Sequence, residues 1–248
     1  MTSTLKHVAG LGLMALLAGG CSSTQITQTM KEVADQISNG GTPALTNEDV
    51  IAGLKEALVK GAEHSVDVAS VTDGFWKSDR LRIPFPEEAI KVKNTLNDIG
   101  LESQVEKFEL TMNRAAETAA KEAVPVFVNA IKGMTVADGF AILKGGDHAA
   151  TDFLKEKTTA ELTAKFRPIV EKATQQVALT SYWTPLTSAY NKATLLTGGK
   201  AVDPDLDAYV TQKAIDGLFV LVADEEQKIR QDPLARTTDL LRRVFAAQ

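Results

Sequence analysis

From Thr46 onward, apolar residues recur three and four positions apart, and that spacing restricts the chain to packed amphipathic helices. Thr46 stands three residues before Asp49, a pair placed for a capping box, and Val50, Ile51, Leu54, Ala57 and Leu58 follow at helical spacing. A helix is therefore expected to run to about Ser70. Strand-type patterning is confined to Leu81-Arg82-Ile83-Pro84-Phe85-Pro86, which is short and bounded by prolines. The expected fold class is all-α, a multi-helix globular bundle with at most a minor β-segment near residues 81–85.

Proline, glycine and capping residues divide the rest. Pro86 fits the first turn of a helix carrying Ile90, Val92 and Leu96, which Gly100 closes where φ turns positive. Residues 101–132 read as mostly helical, with Pro125 expected to kink or divide them. Thr135 and Asp138 cap a helix that stops before Gly145-Gly146, and Asp147 opens a short one through Phe153. Thr158 or Thr159 is expected to start a longer helix to Val177, with a break or bend at Pro168, and Ser181 to Thr194 another with Pro185 in its first turn. Asp203-Pro204 starts a helix whose stretch from Ala214 to Ala223 is apolar nearly all round, the mark of a central buried element. Asp232-Pro233 repeats the start signal for a last helix ending at Phe245.

The N-terminus carries a different signal. Lys6 precedes an uncharged run from Leu11 to Leu17, which is shorter than the roughly 20 residues that span a bilayer and fits a cleaved secretory segment. Leu17-Ala18-Gly19-Gly20-Cys21 then reads as a bacterial lipoprotein cleavage site, with Cys21 as the thiol that takes acyl chains such as palmitate. The expected organisation is a signal peptide over 1–20, a lipidated cysteine and polar tether over 21–45, and a single helical domain over 46–248. Ser22 follows the cysteine where lipoproteins retained in the inner membrane resemble one another in carrying aspartate, so an outer-membrane location facing the periplasm is expected. Several acyl chains would supply the attachment, since one alone holds only marginally.

Composition removes several classes of function. The net charge is −5 and the basic residues are dispersed, so no footprint for nucleic acid is present. Cys21 is the single cysteine, which rules out a disulfide scaffold, a zinc ribbon and a cysteine hydrolase. His64 and His148 lack a second histidine at ligand spacing, no Gly-x-Ser-x-Gly occurs, and Gly198-Gly199-Lys200 lacks the remainder of a phosphate loop. Asp203-x-Asp205-x-Asp207 has Ala208 and Ala214 where a calcium loop needs glycine and an acid, so a helix cap is the better reading. No metal and no cofactor are expected.

Three motif regions resemble the bacterial domain-of-unknown-function 4197 family. They are Asp73-Gly74-Phe75 with Ile83-Pro84-Phe85-Pro86; Met112-Asn113-Arg114-Ala115-Ala116-Glu117 with Met134-Thr135, Asp138 and Ala150-Thr151; and Asp216-Gly217-Leu218-Phe219 with Glu225-Glu226, Ile229-Arg230, Asp232-Pro233 and Ala235-Arg236-Thr237. The resemblance implies an exported, largely helical bacterial domain and transfers no catalytic residue.

The most suggestive polar motif is Asn113-Arg114-Ala115-Ala116-Glu117, whose Asn113 and Glu117 lie one helical turn apart on an alanine-rich face. Arg230 and Arg236, with Glu226 and Asp216, are candidate partners, and Asp138 and Thr151 complete the set of candidate polar residues. Such a set could form a pocket for an anionic group, with arginine forks recognising it, or an internal salt-bridge network that fixes helix register. The network is the preferred reading, and as a buried pair partner Arg114 would be worth about 3 kcal/mol or more. The function expected is a non-catalytic binding or interaction domain, with an envelope protein or small ligand as partner. A hydrolase using Glu117 or Asp138 is one alternative, and a carrier of an apolar ligand between helices is another.

Overall fold

The first helix, α1 (Asn47–Ser70), begins where the Thr46–Asp49 pair predicts. Thr46 Oγ1 accepts the Asp49 N–H at 3.1 Å and the Asp49 carboxylate accepts the Thr46 N–H at 3.0 Å, so the helix start needs no tertiary help. The computed structural model describes residues 46–197, 201–231 and 242. Cys21, Arg236 and the helix expected after Asp232-Pro233 lie outside the described residues.

A 3-10 turn (Glu87–Ala89) leads into α2 (Ile90–Asp98), and Gly100 closes it at φ 82°. Leu101 N–H donates to Leu96 O and Gly100 N–H to Asn97 O, both at 2.9 Å, the two bonds of a Schellman ending. The segment expected over 101–132 is two helices, α3 (Glu102–Ala120) and α4 (Ala123–Lys132), and the division falls at Lys121–Glu122 instead of Pro125. Pro125 sits in the first turn of α4, where a backbone N–H has no intrahelical acceptor and its loss does no harm. The Thr135–Asp138 capping box opens α5 (Val136–Lys144) as expected.

Two helical expectations need correction. Residues 147–153 and 158–177 are not separate helices but one, α6 (Ala149–Thr174). Thr158 and Thr159 do not cap: their hydroxyls donate to the carbonyls of Leu154 and Lys155, each at 2.6 Å, the bond a threonine makes inside a helix. Pro168 lies inside α6 without ending it. It and Ala164, whose carbonyl it leaves without a helical donor, are both solvent-exposed, while Phe166 and Val170 on either side are fully buried and hold the helix to the core. In the same way α7 (Ala178–Thr197) starts a turn earlier than expected, which puts Pro185 in its interior on an exposed position. The last described helix, α8 (Leu206–Gln231), takes its cap from Asp205, whose carboxylate accepts the Ala208 N–H at 2.9 Å. These aspartates thus serve as cap and ion-pair partner, Asp205 to Arg167 at 2.8 Å, in line with the cap reading.

α8 is the central element: it packs against α1, α3 and α6, and Val210, Ala214, Ile215 and Leu218 along it are fully buried. Among the described residues there is no strand, and residues 71–82 form successive turns before the chain extends through Ile83 to Phe85. Phe85 packs on Phe108 and Trp183 with ring centroids 5.6 and 5.5 Å away, so this aromatic cluster seals one side of the core. Phe75 is buried against α8, where Gly217 makes room for it. No single described helix is long and apolar enough to cross a membrane.

A Cβ added at Gly217 would meet Phe75 Cε1 at 2.8 Å, closer than non-bonded carbons approach. Gly217→Ala should therefore cost about 1–3 kcal/mol through displacement of a fully buried ring, read as a lower denaturant midpoint. An unchanged midpoint would show that the ring has space to move.

Candidate functional site

Three polar residues of α3, Glu109, Asn113 and Glu117, are spaced four apart, so they form one stripe along the helix. All three are buried, and all three face the segment that joins α1 to α2. Asn113 is 0% exposed and makes two hydrogen bonds there and one within its own helix: its Oδ1 accepts the Ile83 N–H at 2.8 Å, and its Nδ2 donates to Ile83 O at 2.9 Å and to Glu109 O of α3 at 2.8 Å. One amide thus answers both backbone groups of an extended residue, as a neighbouring strand would. Glu117 Oε1 accepts the N–H groups of Phe75 and Trp76 at 3.1 and 3.2 Å, and Oε2 accepts from Arg114 at 2.7 Å. Glu109 binds Arg82 at 3.1 Å and also Lys93, and the Arg82 guanidinium lies 4.1 Å from the centre of the Trp76 ring.

Arg114 bridges two carboxylates. Its Nη1 donates to Glu117 and its Nη2 to Asp73, which stands at φ 72°, a left-handed conformation that aspartate tolerates better than most residues. Lys77 and then Arg114 hydrogen-bond the Asp73 carboxyl and hold it below its ordinary value of 3.8. Gly74 follows because a Cβ there would meet the carbonyl oxygens of Val68 and Ala69 at 2.6 and 2.7 Å, which no backbone can yield.

The other expected members form a second cluster. Glu226 of α8 reaches the start of α6, where its carboxylate accepts the N–H groups of Ala150 and Thr151 at 2.9 and 2.8 Å and the Thr151 hydroxyl at 2.8 Å. Arg230 binds the same carboxylate at 2.7 Å and the Ile142 carbonyl at 3.0 Å. The acid is thus a tertiary cap on the positive end of α6, a helix whose own N-cap residue, His148, makes no capping bond. No hydrogen bond joins this cluster to Asn113, Arg114 and Glu117 among the described residues, and no single cavity is lined by both.

Asp138 and Asp216 belong to neither cluster: Asp138 spends its carboxylate on the Thr135 N–H and hydroxyl, which lower its pKa, and Asp216 accepts only from Gln212 at 2.9 Å on the surface. Arg236 lies outside the described residues. His64 is exposed with Glu225 3.7 Å away, and among the described residues no group of three or more His, Cys, Asp or Glu side chains could hold a metal ion. Glu109 and the backbone it helps to hold escaped sequence reading, although its position one turn before Asn113 was the available signal.

The family model described as protein of unknown function (DUF4197) matches residues 44–246, which takes in every element of the fold. The chain belongs to this family. No curated protein and no solved structure matches it. Among the described residues, parts of all three DUF4197-like motif regions touch one another: Glu117 accepts the Phe75 N–H, Asn113 holds Ile83, Phe75 fits against Gly217, and Glu226 caps Ala150-Thr151. In this DUF4197 chain the motif residues Asn113, Glu117 and Glu226 fasten helices, the turn at Phe75 and the extended Ile83 to one another.

Arg114 is 37% exposed, and Glu117 retains two backbone donors without it, so the cost of about 3 kcal/mol expected for a buried pair partner is too high. Arg114→Ala should lower stability by about 1 kcal/mol. Asn113→Leu and Glu117→Ala should each lower it by about 2–4 kcal/mol because each strands two backbone groups. Chemical denaturation of the three variants ranks them, and equal losses would contradict the geometry.

Acid should loosen the same corner. The depressed pKa of Asp73 means that its contribution is present above 3.8 and disappears as pH falls through its folded-state value. The stability gap between the wild type and Asp73→Asn, measured at pH 7, should close below about pH 4, since asparagine also accepts the left-handed backbone. A gap independent of pH would mean that the carboxylate charge contributes nothing.

Proposed function

We propose that this chain is a lipid-anchored protein at the periplasmic face of the bacterial outer membrane, and that its helical domain binds a partner instead of catalysing a reaction. The observation that carries the non-catalytic reading is the commitment of the carboxylates. Glu117 and Glu226 each accept two backbone N–H groups and an arginine, and Asp138 accepts a backbone N–H and a hydroxyl. A general acid must offer substrate a proton and a general base a free lone pair, and a carboxylate whose oxygens are taken up by backbone and arginine donors has neither to spare. That argues against the hydrolase alternative.

The carrier alternative has equally little support. The apolar crevice among Leu54, Leu58, Ile142 and Leu143 offers only about 20 Å³, room for about one water molecule and far below the roughly 300 Å³ at which small-molecule sites begin. Support for the anchor comes from Leu17-Ala18-Gly19-Gly20-Cys21 and from the polar stretch that separates it from the start of α1. An envelope protein or a small ligand is the partner class.

Cys21→Ser should abolish incorporation of labelled fatty acid and move the protein out of the detergent-soluble membrane fraction. Retention of both label and membrane association would overturn the anchor.

A further inference from the structure

We propose that the groove between α3 and α6 binds a phosphate monoester carried on an apolar body. This deepens the reading of the domain as a binding module and rests on it, but is independent of the lipid anchor. The groove has a volume of about 530 Å³, inside the range of roughly 300–1,000 Å³ typical of small-molecule sites. Lys107 and Arg114 of α3 and Lys172 of α6 line it, and no acidic residue does.

The absence of acid is specific to this place. On its own helix Lys107 has Ser103, Gln104, Leu110 and Thr111 at three and four residues' distance, and Lys172 has Pro168, Ile169, Gln175 and Gln176, so neither meets a carboxylate one turn away. Glu106 and Glu171 adjoin the lysines in sequence but are turned about 100° round their helices, and neither lines the groove. Neither lysine forms an ion pair among the described residues, a condition shared with exposed lysines such as Lys91 and Lys121; what sets this pair apart is that both line one groove with Arg114 and without an acid.

Arg114 plays a different part. Its charge is shared with Glu117 and Asp73, which fix the guanidinium, and the bonds to them leave three of its five N–H donors for a ligand. The lysines then supply two net charges, matching the −1.5 to −2 that a phosphate monoester carries near neutral pH. The wall between the cations is apolar, with Ala115 and Val177 buried and Ile169 and Ala173 partly buried, and the small alanines leave the depression that an alkyl or similar body would fill. Phosphate of this kind could come from a lipid headgroup or from a free organic phosphate; the chemistry recognised is the same.

The test uses the full chain, in neutral phosphatidylcholine nanodiscs if fractionation shows it to be anchored and in buffer if not, titrated calorimetrically with hexyl phosphate, inorganic phosphate and hexanol. Hexyl phosphate should bind saturably and more tightly than either fragment. Lys107→Gln with Lys172→Gln should weaken it about tenfold, about 1.4 kcal/mol for the pair, with an unchanged thermal midpoint. The control pair Lys91→Gln with Lys121→Gln should leave binding intact. Phosphatidic acid vesicles distinguish the sources, since they compete with hexyl phosphate only if the groove admits a lipid headgroup. Binding that survives the double change, that is matched by inorganic phosphate alone, or that is not detected would overturn the proposal. None of those results bears on whether Cys21 is acylated.

Discussion

An extended segment inside a helical protein has no neighbouring strand to take its backbone N–H and C=O groups, and leaving either unpaired in the interior costs about 1–3 kcal/mol. Ile83 is 1% exposed, and the Asn113 amide meets both of its groups. That exchange lets residues 71–86 run along α3 and deliver Phe75 to Gly217 and Phe85 to Phe108 and Trp183. Glutamine would place the amide a methylene further out, and aspartate could accept but not donate. The position therefore specifies its residue tightly. Glu117 applies the same logic one turn later to Phe75 and Trp76, and Glu109 one turn earlier holds Arg82 through charge.

Buried carboxylates in such a protein act less as charges than as multiple acceptors. Glu226 does for the start of α6 what Glu117 does for the turn at Phe75, and each has an arginine at the rim that offsets part of the cost of burying the charge. The difference between the two arginines is exposure. The Arg230 side chain is 15% accessible and also holds the Ile142 carbonyl, whereas Arg114 keeps one side towards the α3–α6 groove. The same residue type closes one cluster and leaves the other open to solvent.

Helix existence was legible because capping boxes, periodicity and the glycine at position 100 are local signals. The Thr46–Asp49 and Thr135–Asp138 pairs sit where reading predicts them. The errors came from residues whose role depends on what surrounds them. Thr158 and Pro168 look like breaks, but the burial of Leu154, Leu162, Phe166 and Val170 carries α6 through both. The polar motif was legible in its residue types and not in its partners. A sequence shows that Asn113 and Glu117 share a face, but not that their acceptors and donors belong to a peptide backbone some 30 to 40 residues earlier. It also united Arg114 with Arg230, which the helix packing separates into two clusters.

Glu226 lies 76 residues beyond the Ala150 amide that it caps, and Gly217 makes the notch for Phe75 from nearly twice as far along the chain. Both fastenings come from α8, the last described helix. A nascent chain that has yet to produce α8 therefore has α6 without its cap, Phe75 without its seat and much of the apolar surface of α1, α3 and α6 uncovered. Local signals can begin the helices in the order of synthesis, but their mutual docking waits on the arrival of the C-terminal part. Completion of this fold is an event of the whole domain and not of its first half.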